Sequence, residues 1–187
     1  MGFLSRTELR NFGFKKLGKN VMISDKASIY SPQYISLGNN VRIDDFCILS
    51  PGEKGIKIGN YVHISCHATL IGRGRIVIQD FCAISGKVSI YSSNDDYSGN
   101  YLTNPMVDSE YTNVDEKDII IKKHTIIGCG SVVLPGVTLE VGTAIGALSL
   151  VHKSSNKFDM LAGTPIRLIG KRNTKLLDLE KKFKLNK

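Results

Sequence analysis

The strongest constraint in this chain is a period of six. A large aliphatic residue recurs at Leu17, Ile23 and Ile29, at Leu37, Ile43 and Leu49, and at Ile58, Ile64 and Leu70. The series resumes at Ile78, Ile84 and Ile90, at Ile121, Ile127 and Val133, and at Leu139, Ile145 and Val151. Four residues after most of these comes a small or β-branched side chain, as at Val21, Val41, Cys47, Val62, Ala68, Cys82, Thr125, Ser131 and Ser149. Two inward positions per six residues, one large and one small, describe a short strand that ends in a tight corner. Gly18, Gly38, Gly59, Gly128 and Gly146 directly follow large positions, where a corner leaves little room for a side chain.

Successive large positions lie six apart except after Ile29, Leu49, Leu70 and Ile90, where the steps are 8, 9, 8 and 31. Every extra residue therefore falls after the third repeat of a set. A triangular prism with three repeats per coil explains this, because a loop leaving one edge does not disturb the stacked faces. The expected fold is an all-β solenoid, a parallel β-helix of about six triangular coils, roughly 29 Å tall at ~4.8 Å per coil. The expected organisation is a capping segment over residues 1–16, the β-helix over 17–156 with a loop extruded at 91–120, and an extended segment and helix over 157–187. Open ends of such a stack must be covered. SRTE at residues 5–8 reads as a capping box, and Leu176, Leu179 and Phe183 recur at helical spacing near the C-terminus.

The 187 residues suit a single domain, and 42% hydrophobic with 22% charged residues excludes a disordered or collagen-like chain. No apolar run approaches the ~18 residues of a membrane span, so none is expected. Charges at Arg6, Glu8 and Arg10 interrupt what would be the apolar core of a secretion signal, so the expected location is cytoplasmic. Cys47, Cys66, Cys82 and Cys129 show no C-x-x-C spacing and are expected as reduced thiols. The net charge of +8 suits nucleic acid, an acidic surface or a phosphorylated ligand, and composition does not choose among them. Nucleic acid is not an expected partner, because the basic residues are not interleaved with stacking aromatics.

The units IGNYVHIS, SVVLPGVT and AIGALSLV, the long loop with DDYSG and LTNP, and the closing AGTPIRLI resemble the hexapeptide-repeat acyltransferases over about 155 of the 187 residues. The nearest resemblance is to the sugar and polysaccharide O-acetyltransferases, the galactoside and maltose enzymes among them. It implies a left-handed β-helix, a homotrimer with active sites between subunits, acetyl-coenzyme A as co-substrate, a small sugar acceptor and no metal. It places Cys129, Ala147, His152 and Lys153 along the coenzyme and Arg167, Lys171 and Arg172 at its phosphates. The expected activity is acetyl transfer to a sugar or surface-polysaccharide hydroxyl by direct, base-assisted attack. Two alternatives stay open: an N-acetyltransferase of a nucleotide-linked amino sugar, and a non-catalytic trimeric coenzyme-binding scaffold. A zinc carbonic anhydrase on this fold needs three converging imidazoles, whereas His63 and His67 fall on different faces and His124 lies two coils away.

A hydroxyl attacks a thioester well only while a base removes its proton, and histidine suits that task near neutral pH. The resemblance implies a histidine five residues after Ile90, but Asp95 stands there. Three explanations compete. His63 is the base; Asp95 or Asp96 is the base or orients His63 across a subunit boundary; or catalysis has been lost. Ser65 and His67 beside His63, and Asn94 and Tyr97 in the loop, are the acceptor-binding candidates. Long ordered loops are usually functional.

Overall fold

Equivalent repeat positions stack in register, so each hexapeptide becomes one rung of a face. The computed structural model describes residues 2–186. Its first face carries Lys16–Leu17, Ile35–Leu37, Ile56–Ile58, Ile76–Ile78, Ile119–Ile121 and Thr138–Leu139, all parallel. The second carries Val21–Ile23, Val41–Ile43, Val62–Ile64, Ala83–Ile84, Ile126–Ile127 and Ala144–Ile145. The third carries Ser28–Ile29, Ile48–Pro51, Thr69–Gly72, Ser89–Tyr91, Val132–Val133 and Leu150–Val151. Six coils are complete. A partial seventh turn follows on the second face, where Asp159–Ala162 pairs in parallel with Ala144–Ile145 and Arg167–Lys171 folds back antiparallel onto it. The segment expected only to be extended is thus an added rung that covers one end of the core.

Sixteen of the eighteen large repeat positions are buried, and Leu17 and Ile29 in the first coil are partly so. On the first face Ile35, Ile56, Ile76 and Ile119 fill the position that elsewhere takes a small residue. In the upper coils that position is Thr125, Ser131, Thr143 or Ser149, whose hydroxyls donate to corner carbonyls such as Lys122 at 2.7 Å and Gly146 at 3.0 Å. Such bonds remove the desolvation cost of a buried hydroxyl. Gly38 shows why its corner needs glycine: a Cβ there would lie 2.5 Å from the Gly59 carbonyl oxygen in the next coil.

Side chains on left-handed backbone, a conformation that costs an L-residue ~1–2 kcal/mol, recur at the corners. Between the first and second faces these include Asn20, Asn40, Tyr61, Phe81 and His124, with φ from +50° to +63°. Stacking offsets part of the strain: Tyr61 on Phe81 at 4.9 Å, and Phe81 on His124 at 5.2 Å between ring centroids. The C-terminal helix, Leu176–Leu185, sets Phe183 edge-on against Tyr61 and Phe81 and brings Glu180 within 2.6 Å of His124 Nε2. At the other end Ser5 and Glu8 form the capping box of helix Arg6–Asn11, which buries Leu9. The long loop leaves the third face and is closed at its base by Ser93–Asn94 paired antiparallel with Asp115–Glu116.

Candidate active site

His63 points outward from the middle of Val62–Ile64, because its neighbours Val62 and Ile64 take the inward positions. Arg42 occupies the same outward position one coil below. Between them, at the next corner, lies the buried Asp44. One Asp44 oxygen meets His63 Nε2 at 2.7 Å, and the other accepts from Arg42 Nε at 2.6 Å. Burial pushes the Asp44 carboxyl up, but hydrogen bonds and charge from Arg42 and His63 hold it below its usual range. His63 is therefore an oriented, half-exposed imidazole whose Nδ1 faces away from its carboxylate.

Asp95 lies on a different corner. It follows the Ser93–Asn94 ladder directly, where the loop departs, and is exposed. Asn94 and Asp95 line a cavity of about 840 Å³ between the third face and the loop, which Arg73, Asn104 and Asp108 also border. That volume lies within the usual range for small-molecule sites. Asp96 is occupied locally, accepting from Ser98 Oγ and the Gly99 amide at 2.9 and 3.0 Å. Tyr97 is almost fully exposed at the loop surface. Within one chain, His63 on the second face and Asp95 beyond the third do not meet.

The corner between the second and third faces gathers most of the other predicted residues. Ser65 lies one coil below Ser85, and His67 stacks on the exposed Phe46 at 5.0 Å. Higher on this corner Cys129 and Ala147 are exposed on adjacent coils, linked through the Leu148 amide to the Cys129 carbonyl at 2.9 Å. His152, Lys153 and Arg167 are exposed around the last coils. Lys171 and Arg172 are already engaged within the chain: Lys171 pairs with the buried Asp159, and Arg172 donates to the carbonyl oxygens of His124 and Gly142. Sequence reasoning missed Asp44, Arg42 and Ser85. A signal for Asp44 existed in its position directly after the large residue Ile43, where other coils place serine or glycine. Among the described residues no group of three or more His, Cys, Asp or Glu could hold a metal ion.

No family model matches the chain. It is 53% identical over 184 residues to the dTDP-4-amino-4,6-dideoxy-D-glucose acyltransferase of Escherichia coli, spanning 98% of this chain and 96% of that one. The chain belongs to the hexapeptide-repeat sugar acyltransferases. A solved variant of AntD, an N-acyltransferase from Bacillus cereus in complex with dTDP and coenzyme A, matches this acyltransferase over 100% of both chains, at 44% identity and a TM-score of 0.96. Galactoside acetyltransferase, at 20% identity and a TM-score of 0.64 over 91% of this chain and 71% of its own, shares the fold alone. The AntD variants alter an aspartate and a serine ten positions before it. Ser85 and Asp95 are separated by the same distance here.

Proposed function

We propose that this acyltransferase moves an acyl group, acetyl in the simplest case, from coenzyme A to the 4-amino group of a dTDP-linked 4-amino-4,6-dideoxy sugar. The full-length match to an acyltransferase of that substrate carries the reading. It shifts the acceptor from the hydroxyl that the sequence favoured to the amine that it held as the alternative. The departure at Asp95 supports the shift. An alcohol needs a base strong enough to draw its proton during attack, whereas an amine is nucleophilic once neutral and sheds its proton readily after the C–N bond begins to form. A carboxylate suffices for the second task.

In this scheme the amine nitrogen attacks the thioester carbonyl, the Asp95 carboxylate takes the nitrogen's proton, and the C–S bond breaks. The proton taken up by Asp95 passes on to the departing thiolate, so coenzyme A leaves as the thiol and the carboxylate is restored. The cavity beside Asp95 receives the sugar nucleotide. Cys129, Ala147, His152, Lys153 and Arg167 border the coenzyme, whose phosphates Lys and Arg side chains would neutralise. Ser65, Ser85 and His67 of a neighbouring subunit complete the site in a homotrimer, since the chain alone leaves them on another corner.

A second reading rests on the Asp44–His63 pair, whose geometry is that of a carboxylate orienting an imidazole base. Steady-state kinetics on the dTDP amino sugar separate the two. Asp95→Asn is expected to lower kcat by about 10²–10⁴, with His63→Gln retaining activity within about tenfold. The reverse ranking moves the base to His63, and coenzyme binding with no turnover in the unaltered protein rejects both.

A further inference from the structure

The cavity beside Asp95 is unevenly charged. Among the described residues Arg73 is the only cation that lines it, facing the carboxylates of Asp95 and Asp108 across the same space. Lys54 and Lys117, at the base of the same loop, are paired with Glu116 and Asp115 at 2.7 and 2.8 Å. The Arg73 guanidinium has no such ion pair among the described residues, and its side chain is exposed. Its backbone, by contrast, is fixed from both sides. One coil below, Gly52 leaves no room for a side chain, since a Cβ there would lie 2.8 Å from Arg73 Cα. In the coil above, Ser93 Oγ accepts from the Arg73 amide at 3.2 Å.

Carboxylates attract an amine and repel a diphosphate, which needs a cation instead. Asp95 stands two residues after Ser93, so Arg73 and Asp95 rise from adjacent coils of one corner. A ligand with an amine on one side of a sugar ring and a diphosphate on the other therefore fits this charge pattern in one direction only. A guanidinium also presents a planar fork of donors that matches phosphate oxygens, as a single ammonium does not. We propose that Arg73 anchors the diphosphate of the sugar nucleotide, leaving its 4-amino group toward Asp95. The orientation rests on the acceptor proposed above, whereas the anchor does not. Coenzyme A carries a diphosphate too, but its candidate neighbours Cys129, Ala147, His152 and Lys153 do not line this cavity within one chain.

Calorimetric titration of the full chain with dTDP and with thymidine tests it, beside steady-state kinetics on the dTDP-linked amino sugar. The unaltered protein is expected to prefer dTDP to thymidine by about tenfold or more. Arg73→Ala is expected to weaken dTDP by about 10–100-fold while leaving thymidine unchanged. KM for the sugar nucleotide rises by the same factor, kcat falls by no more than about fivefold, and KM for acetyl-coenzyme A does not move. Arg73→Lys recovers only part of the loss, because it keeps the charge without the fork. Equal weakening of dTDP and thymidine would reduce Arg73 to a structural role. A fall in coenzyme affinity instead would assign it to the other diphosphate, and an unchanged dTDP affinity would put the anchor elsewhere. Each of those three results overturns the proposal. No turnover of the amino sugar by the unaltered protein, with the Arg73-dependent preference for dTDP intact, would reject the acceptor and uphold the anchor.

Discussion

Replacing Glu180 by Gln should release the C-terminal helix without touching the solenoid. The Glu180 side chain is 12% exposed and receives His124 Nε2 at 2.6 Å, Lys123 Nζ at 3.7 Å and the Lys184 ammonium. The Lys184 hydrogen bond, followed by that from His124 and the charges of Lys123 and His124, pulls the carboxyl from 4.5 down to about 2 against the opposing effect of burial. That displacement corresponds to roughly 3 kcal/mol favouring the ionised form in the docked state. Lys123 and Lys184 are partly exposed, so solvent screening reduces the usable share to about 1–2 kcal/mol. Since the folded pKa is depressed, this contribution is complete above pH 4.5 and disappears as pH falls toward about 2. Amide exchange over residues 176–185, read by mass spectrometry, should be about 5–30-fold faster in Glu180→Gln at pH 7. The gap between variant and parent should close as the pH is lowered through that window. Equal protection at pH 7, or a gap that persists undiminished at pH 2, would refute the assignment of Glu180 as the clasp.

Two other expectations follow from packing. Gly38→Ala should lower stability in urea by about 2–3 kcal/mol, because the new Cβ meets rigid backbone of the next coil. Gly13→Ala, with open space around it and only its φ of +76° to strain, should cost about 1 kcal/mol. A thiol reagent at neutral pH should label Cys66 and Cys129, which are exposed, and spare Cys47 and Cys82 until the chain unfolds. Burial pushes those two thiols up to about 11 and about 12, so almost no reactive thiolate exists.

The faces were legible in the sequence because each rung is local. Ile64 points inward for reasons carried by its own hexapeptide, and one-corner insertions fixed the number of rungs per coil. What lay beyond the sequence joins different coils or the two ends of the chain. Asp44 and His63 are 19 residues apart and touch only because one coil separates them; His124 and Glu180 are 56 apart. No periodicity marks either pair. The helix Leu176–Leu185 was legible from Leu176, Leu179 and Phe183, but its docking against the left-handed aromatic column of Tyr61, Phe81 and His124 was not. Such a column requires backbone that aromatic residues rarely adopt. Asp95 was found by counting from Ile90, and the role proposed for it rests on an amine rather than a hydroxyl as acceptor.

The central claim is that nitrogen, not oxygen, is acylated. Its most direct test is the bond in the product formed from acetyl-coenzyme A and a dTDP-linked 4-amino-4,6-dideoxy sugar, analysed by mass spectrometry before and after treatment with hydroxylamine. An acetyl group that survives treatment, with no transfer to the matching 4-hydroxy sugar nucleotide, is the expected outcome. An acetyl group released as the hydroxamate, or equal transfer to the 4-hydroxy compound, would contradict it.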